Sequence, residues 1–176
     1  MKYLLSTFCM AAALAVPSMA LAQFSTDSSA DTILLADETT TANGTITLKG
    51  QADIRQGDVR LLADKVVIFT AGGPGSGLVS TDGITRIVAT GNFYYITPEQ
   101  EVRGNKGVYT QATDSFAVTG DVVLLQEDSV VTGEQLNYNL TTREAKVVGG
   151  CSGRKCGKGR RVAILIRSSD SARGAN

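Results

Sequence analysis

The sequence predicts an all-β fold made of stacked repeats, and three observations carry that reading. Gly91, Gly120 and Gly149 stand 29 residues apart. The residues after them repeat: Phe93, Tyr95, Val102, Gly104, Gly107, Tyr109, Phe116 and Val118 take the offsets from Gly91 that Val122, Leu124, Val131, Gly133, Leu136, Tyr138, Ala145 and Val147 take from Gly120. Within each unit the apolar residues fall on every second position, as a strand with one buried face requires, whereas a helix would place them at three and four. A period of about 20 to 50 residues marks a unit that cannot bury its apolar face alone and must stack on its neighbours.

The chain begins with Lys2, an apolar run over 4–16, Pro17 and the triplet Ala20, Leu21, Ala22. These are the parts of a cleavable secretory signal peptide over 1–22, and the apolar run falls short of the roughly 20 residues of a membrane anchor. Removing those 22 of 176 residues leaves 154, the length of one domain. Residues 23–31 are rich in Ser, Asp and Ala and read as a flexible N-terminus. Ile33, Leu34 and Leu35 form a short apolar strand before a turn-rich stretch that ends in Asn43-Gly44, a strong hairpin signal. Thr45 to Leu48 is the returning strand, and Gly50 then opens a further copy of the repeat with Ala52, Ile54, Leu61, Ala63, Val66 and Ile68 in step. Gly91 lies 41 residues beyond Gly50, so this copy carries 12 extra residues, which fit the Gly-rich stretch 71–83. Polar turns are expected at 97–100 and 126–128. The last strand is Val162 to Ile166, the domain runs over 32–168, and 169–176 is a flexible tail.

Charge is unevenly spread. Residues 23–150 hold 9 basic and 16 acidic side chains, while 151–176 hold 7 basic residues and only Asp170. The tail suits phosphate, an acidic partner or nucleic acid, or simple solvation. It lacks the interleaved aromatics of a nucleic-acid platform, so no nucleic-acid partner is expected. Cys151 and Cys156, the cysteines left after the signal peptide, read as a small disulfide loop in an exported chain. Free thiols are the alternative. A zinc site is disfavoured because the chain has no histidine to complete four ligands.

The same lack of histidine excludes Ser-His-Asp and Cys-His catalysis. The acid pairs Glu99 with Glu101 and Glu127 with Asp128 fall in expected turns, where charges sit without a role. The run Gly-Gly-Pro-Gly-Ser-Gly at 72–77 lacks the lysine, the adjoining Ser or Thr and the helix of a phosphate-binding loop. No enzyme activity, cofactor or metal is expected.

The strings LLADKVVIFTAGGPGSG, TGDVVLLQ and VVTGEQLNYNLTTREAKVVG resemble the LptA, or OstA-like, family of periplasmic lipopolysaccharide-transport proteins, over about residues 31–168. The resemblance implies a twisted antiparallel β-jelly roll, open at both ends, whose copies join end to end. It also implies a periplasmic bridge between an LptC-type inner-membrane protein and an LptD-type outer-membrane protein, with lipopolysaccharide carried acyl chains inward. A cleavable signal argues against the anchored LptC type, and the length against the LptD type. The cysteine loop and the arginine-bearing tail depart from the family pattern.

Inward-facing family positions matched here are Ile33, Leu35, Ile54, Phe93, Tyr95, Tyr109 and Tyr138, the candidate lipid contacts. The same residues would equally serve as the solid core of a structural β-repeat scaffold, which is the competing reading. Small residues at Ala63, Gly104 and Gly133 would either leave room for an acyl chain or permit a bend. Tyr109 and Tyr138, at the same offset in successive units, are expected one strand spacing apart.

Overall fold

The computed structural model describes residues 30–71, 83–142, 144–151 and 161–167. The expected signal peptide, most of the Gly-rich stretch, Cys156 and the tail beyond 167 lie outside them. Among the described residues ten strands run in chain order: β1 (Thr32–Leu35), β2 (Glu38–Ala42), β3 (Thr45–Gln56), β4 (Val59–Thr70), β5 (Ile84–Ile96), β6 (Gln100–Thr110), β7 (Ser115–Gln126), β8 (Ser129–Asn139), β9 (Ala145–Val148) and β10 (Ala163–Ile166). They form one antiparallel sheet in the order β1-β3-β4-β5-β6-β7-β8-β10, with β2 also on β3 and β9 also on β8. The only helical element among the described residues is a single 3-10 turn, Gln111–Thr113. No helix among them is long and apolar enough to cross a membrane.

Neighbours in sequence are neighbours in space because each connection from β2 to β8 is a hairpin. Asn43 and Gly44 both have positive φ (49° and 70°), the geometry an Asn-Gly hairpin turn demands. Thr97 closes the β5–β6 turn, its hydroxyl accepting from the amides of Glu99 and Gln100. The 12 extra residues of the first repeat fall in the β4–β5 connection, whose base is closed by the Ala71 amide donating to the Gly83 carbonyl. The stretch read as turn-rich before Asn43 is itself a strand: Glu38–Ala42 pairs along Thr45–Lys49, and its threonines suit an edge.

The repeat glycines mark a crease. Gly50, Gly91 and Gly120 have φ of 76° to 80°, and the residues after them, Gln51, Asn92 and Asp121, are left-handed as well. Each Gly-X pair is a bulge, and the strand register shifts at this level in every pairing from β3 to β8. A Cβ on Gly50, Gly91 or Gly120 would collide with the side chain of Asp37, Asp64 or Asn105 on the adjacent segment, so only glycine fits. Glycine and a short polar side chain thus alternate across these strands, whereas Gly150, beside Glu134, leaves room for a Cβ at ordinary contact distance.

On the Gly-X strands the apolar face keeps its parity through the bulge. On the alternate strands it breaks step: Ala63 and Val66 are both buried with Asp64 and Lys65 both exposed between them. The inward positions therefore change from odd to even offsets within one strand, which the constant alternation expected from sequence does not include. Each unit is a two-strand hairpin, so Tyr109 and Tyr138 are not adjacent. Both pair with Phe116, which stands between them, and they are two strand spacings apart, about 9.6 Å.

Candidate functional site

The registers line up the inward residues into apolar rows perpendicular to the strands. One row, on the side of the crease nearest the β3–β4, β5–β6 and β7–β8 turns, runs Leu34, Ile54, Leu61, Tyr95, Val102, Leu124, Val131, Ile164, one residue per strand from edge to edge. Across the crease a second runs Ile46, Ile68, Ile87, Tyr109, Phe116, Tyr138, Ala145. The two meet through aromatic rings: Phe116 lies 5.6 Å from Phe93 and 5.2 Å from Tyr95, centroid to centroid. Between the rows lies an apolar groove lined by Leu61, Tyr95, Tyr109, Phe116, Leu124 and Tyr138, among others, with about 50 Å³ of free space.

Of the seven residues proposed from sequence, five face this interior. Tyr95, Tyr109 and Tyr138 line the groove. Ile54 and Phe93 are inward but sealed, at 1% and 0% exposure, with the Phe93 ring seated on Gly107. Ile33 and Leu35 are not inward. They are 52% and 48% exposed on the opposite face, and Leu34 takes the inward place beside Ile54. One residue of register reverses every side chain of a strand, and the pairing with β3 decides it. The small residues at Gly104 and Gly133 leave no channel either, because a Cβ there would strike Val118 or Val147. They admit a neighbouring side chain.

Phe116, Leu61, Val102 and Leu124 complete the groove and were not singled out as contacts from sequence, although their repeat offsets carry the signal. The Tyr109 hydroxyl donates to Asp114 at 3.4 Å, and burial together with that carboxylate pushes the phenol above the ordinary tyrosine value. Asp114 also accepts from Thr141 at 2.7 Å, and its carbonyl takes the Leu140 amide, so one residue ties the β6–β7 turn to the β8–β9 turn at the rim of the groove. Among the described residues, the buried ionic group is Asp53 on the outer face, held by Arg55 and Arg60 at 2.7 Å each. The guanidiniums hold its carboxyl well below the usual range. Cys151 is disulfide-bonded, while Cys156 lies outside the described residues. No group of three or more His, Cys, Asp or Glu among the described residues is placed to hold a metal.

A one-sided antiparallel sheet creased over an apolar interior defines an open β-jelly-roll-like fold. The chain belongs to the LptA/(LptD N-terminal domain) LPS transport protein family, whose model matches residues 34–144. Its fold is similar to the crystal structure of LptH, the LptA-homologous periplasmic component of the lipopolysaccharide transport device from Pseudomonas aeruginosa. The TM-score is 0.64 at 16% identity, over 82% of this chain and 100% of that one. A search of curated protein sequences finds no match.

Proposed function

We propose that this chain is a periplasmic, non-enzymatic lipopolysaccharide carrier that holds the acyl chains against the inner rows and joins end to end into a bridge. LptC-type and LptD-type proteins would stand at its two ends. The observation that carries this reading is that one apolar row runs across the strands from one edge of the sheet to the other, with the second beside it from Ile46 on β3 to Ala145 on β9. A lipid moving along them would stay covered from end to end. Each buried CH₂ contributes about 0.8 kcal/mol, so exposing one ~12-carbon chain would cost on the order of 10 kcal/mol, and a carrier without continuous cover would stall.

The groove at about 50 Å³ is smaller than the ~150 Å³ cavity that admits a benzene ring. An acyl chain would therefore enter by parting the two rows about the crease, drawing Tyr95 and Phe116 apart and reaching Ile54 and Phe93 only in the opened form. The proposed contacts are Tyr95, Tyr109 and Tyr138 first, then Ile54 and Phe93. Ile33 and Leu35 fall outside the interior. A photoreactive group at Tyr109 or Tyr138 should crosslink to labelled lipopolysaccharide, and one at the outward Thr110 or Asn137 should not. Equal yields from both faces, or none from either, would reduce the rows to the solid core of a scaffold. The Cys151–Cys156 pairing is part of the same proposal: alkylation of non-reduced exported protein should find no free thiol. So short a loop adds little stability through loop-closure entropy, so reduction should leave the fold intact.

A further inference from the structure

We infer that Gln100 and Gln126 form a neutral hydrogen-bonding clasp at the mouth of the groove, which takes the ester or amide group joining an acyl chain to its sugar. The inference rests on the acyl-carrying reading above and names the part of the lipid that the mouth recognises.

The groove is apolar apart from its tyrosines and these two glutamines, and the described residues that line it include no charged side chain. Gln100 starts β6 and Gln126 ends β7, directly opposite one another in the ladder, and the Gln126 Nε2 donates to the Gln100 Oε1 at 3.2 Å. Each stands two residues outward along its strand from the inward pair Val102 and Leu124, a step of about 6.8 Å that keeps it on the inner face. The same step on neighbouring strands gives Thr32, Gln56 and Ser129 beside Val59 and Ile166, so the polar members of this outermost inner row are uncharged.

The charges at this level stand elsewhere. Arg55, Arg60, Glu101 and Arg103 lie on the outer face, where Asp53 holds the first two and Glu101 holds the last. Asp58, Glu127 and Asp128 follow in the turns, exposed to water. A rim that only met solvent would have no reason to sort charged from neutral side chains between its two faces. The inner side of this rim is therefore matched to a neutral polar group.

An amide carries two N–H donors and an oxygen with two lone pairs, and the bond between the glutamines uses one donor and one lone pair. The clasp is thus satisfied when the groove is closed and still offers a donor to a carbonyl and an acceptor to a hydroxyl. An acyl chain requires the first of these, because its carbonyl sheds water at the mouth and would lose all partners if drawn inward past Val102 and Leu124. A phosphate or carboxylate is best met by cations, which the lining does not supply. The groove takes the hydrocarbon, the clasp takes the neutral linkage, and the charged part of the lipid stays in water. The clasp thereby sets how far an acyl chain enters.

The experiment uses the full-length chain and two probes with one sugar and one dodecyl-length chain: dodecanoyl glucose, an ester, and dodecyl glucoside, an ether that lacks the carbonyl. Affinities are read below the micelle range by displacement of the neutral dye N-phenyl-naphthylamine. The unsubstituted protein should favour the ester roughly two- to tenfold, the worth of one net hydrogen bond. Gln100→Leu combined with Gln126→Leu should abolish that preference while the ether binds as before. Gln126→Glu, at an exposed position where folding is not at risk, should abolish it too, since its carboxylate takes up the Gln100 N–H groups. A preference that survives these substitutions, or no preference in the unsubstituted protein, would overturn the clasp and leave the acyl-carrying interior intact. Failure of the unsubstituted protein to bind either probe or lipopolysaccharide would overturn both.

Discussion

The two ends of the inner rows are built on one repeat and finish differently. Near the N-terminal edge, Ile54 and its neighbour Leu61 in the row are sealed, and Phe93 fills the space above Gly107. Near the C-terminal edge, Val131 and Tyr138 stay half-buried, and Ile164 is 64% exposed. Alternation puts all of them on the same face. What differs is whether another layer stands over that face, and over the last strands none of the described residues does. Residue pattern therefore decides which way a side chain points, while cover decides whether it is core or open surface.

That contrast can be broken at its strongest point by substituting Gly91. Valine there would be forced into a left-handed backbone, costing roughly 1–2 kcal/mol, and driven into Asp64, costing roughly 1–3 kcal/mol more. Urea denaturation of Gly91→Val should show a loss of that combined size, or no folded protein. The same change at Gly149, which has the repeat spacing but no positive φ, should be far milder.

Phe93→Ala against Ile164→Ala sets the sealed interior on β5 against the open C-terminal edge. The first removes a fully buried ring and should cost about 3–5 kcal/mol. The second should stay within about 0.5 kcal/mol in dilute protein, as surface changes do, yet weaken self-association at high concentration. Comparable losses in dilute protein would mean that the C-terminal end is packed like the N-terminal one.

Asp53 offers a smaller effect on the outer face. Its lowered carboxyl stabilises the fold above the ordinary carboxylate pKa, and that contribution is lost as pH falls through the ordinary value of 3.8 towards the lower folded one. Asp53→Asn should cost about 1–3 kcal/mol at neutral pH and flatten this acid limb. The least effect belongs to Tyr109. Its raised pKa means the unfolded chain ionises first, so its contribution is whole below pH 10.0 and shrinks as pH rises beyond it. Tyr109→Phe should remove that alkaline slope in urea titrations and alter little at pH 7.

Much of the fold was legible in the chain. The spacing of Gly91 and Gly120 gave the unit, the Gly-rich stretch gave the place of the insertion, and Asn43-Gly44 gave the first hairpin, because each is a local backbone requirement. The face of β1 was not legible, since whether Leu34 or its neighbours point inward depends on which residue of β3 they meet, a contact about 20 positions away. The break of step at Asp64-Lys65 was hidden for a related reason: it answers a bulge on the adjacent strands. Tyr109 and Tyr138 face inward but are not adjacent: the turn expected at 126–128, like that at 97–100, divides its unit into two strands, so the same offset in successive units falls two strands apart.

The crease also governs how the sheet can deform. Along the strands, the ladder is interrupted at one level in every pairing from β3 to β8, so the segments on either side are joined there by irregular backbone. From strand to strand, each side of that line keeps its own ladder, with one further irregularity at Phe69/Thr70 between β4 and β5. Such a sheet should yield about the axis of the rows before it yields along it. A span assembled from such pieces would hold its length under thermal agitation while its walls breathe, and amide hydrogen exchange should mark that line as the first to open.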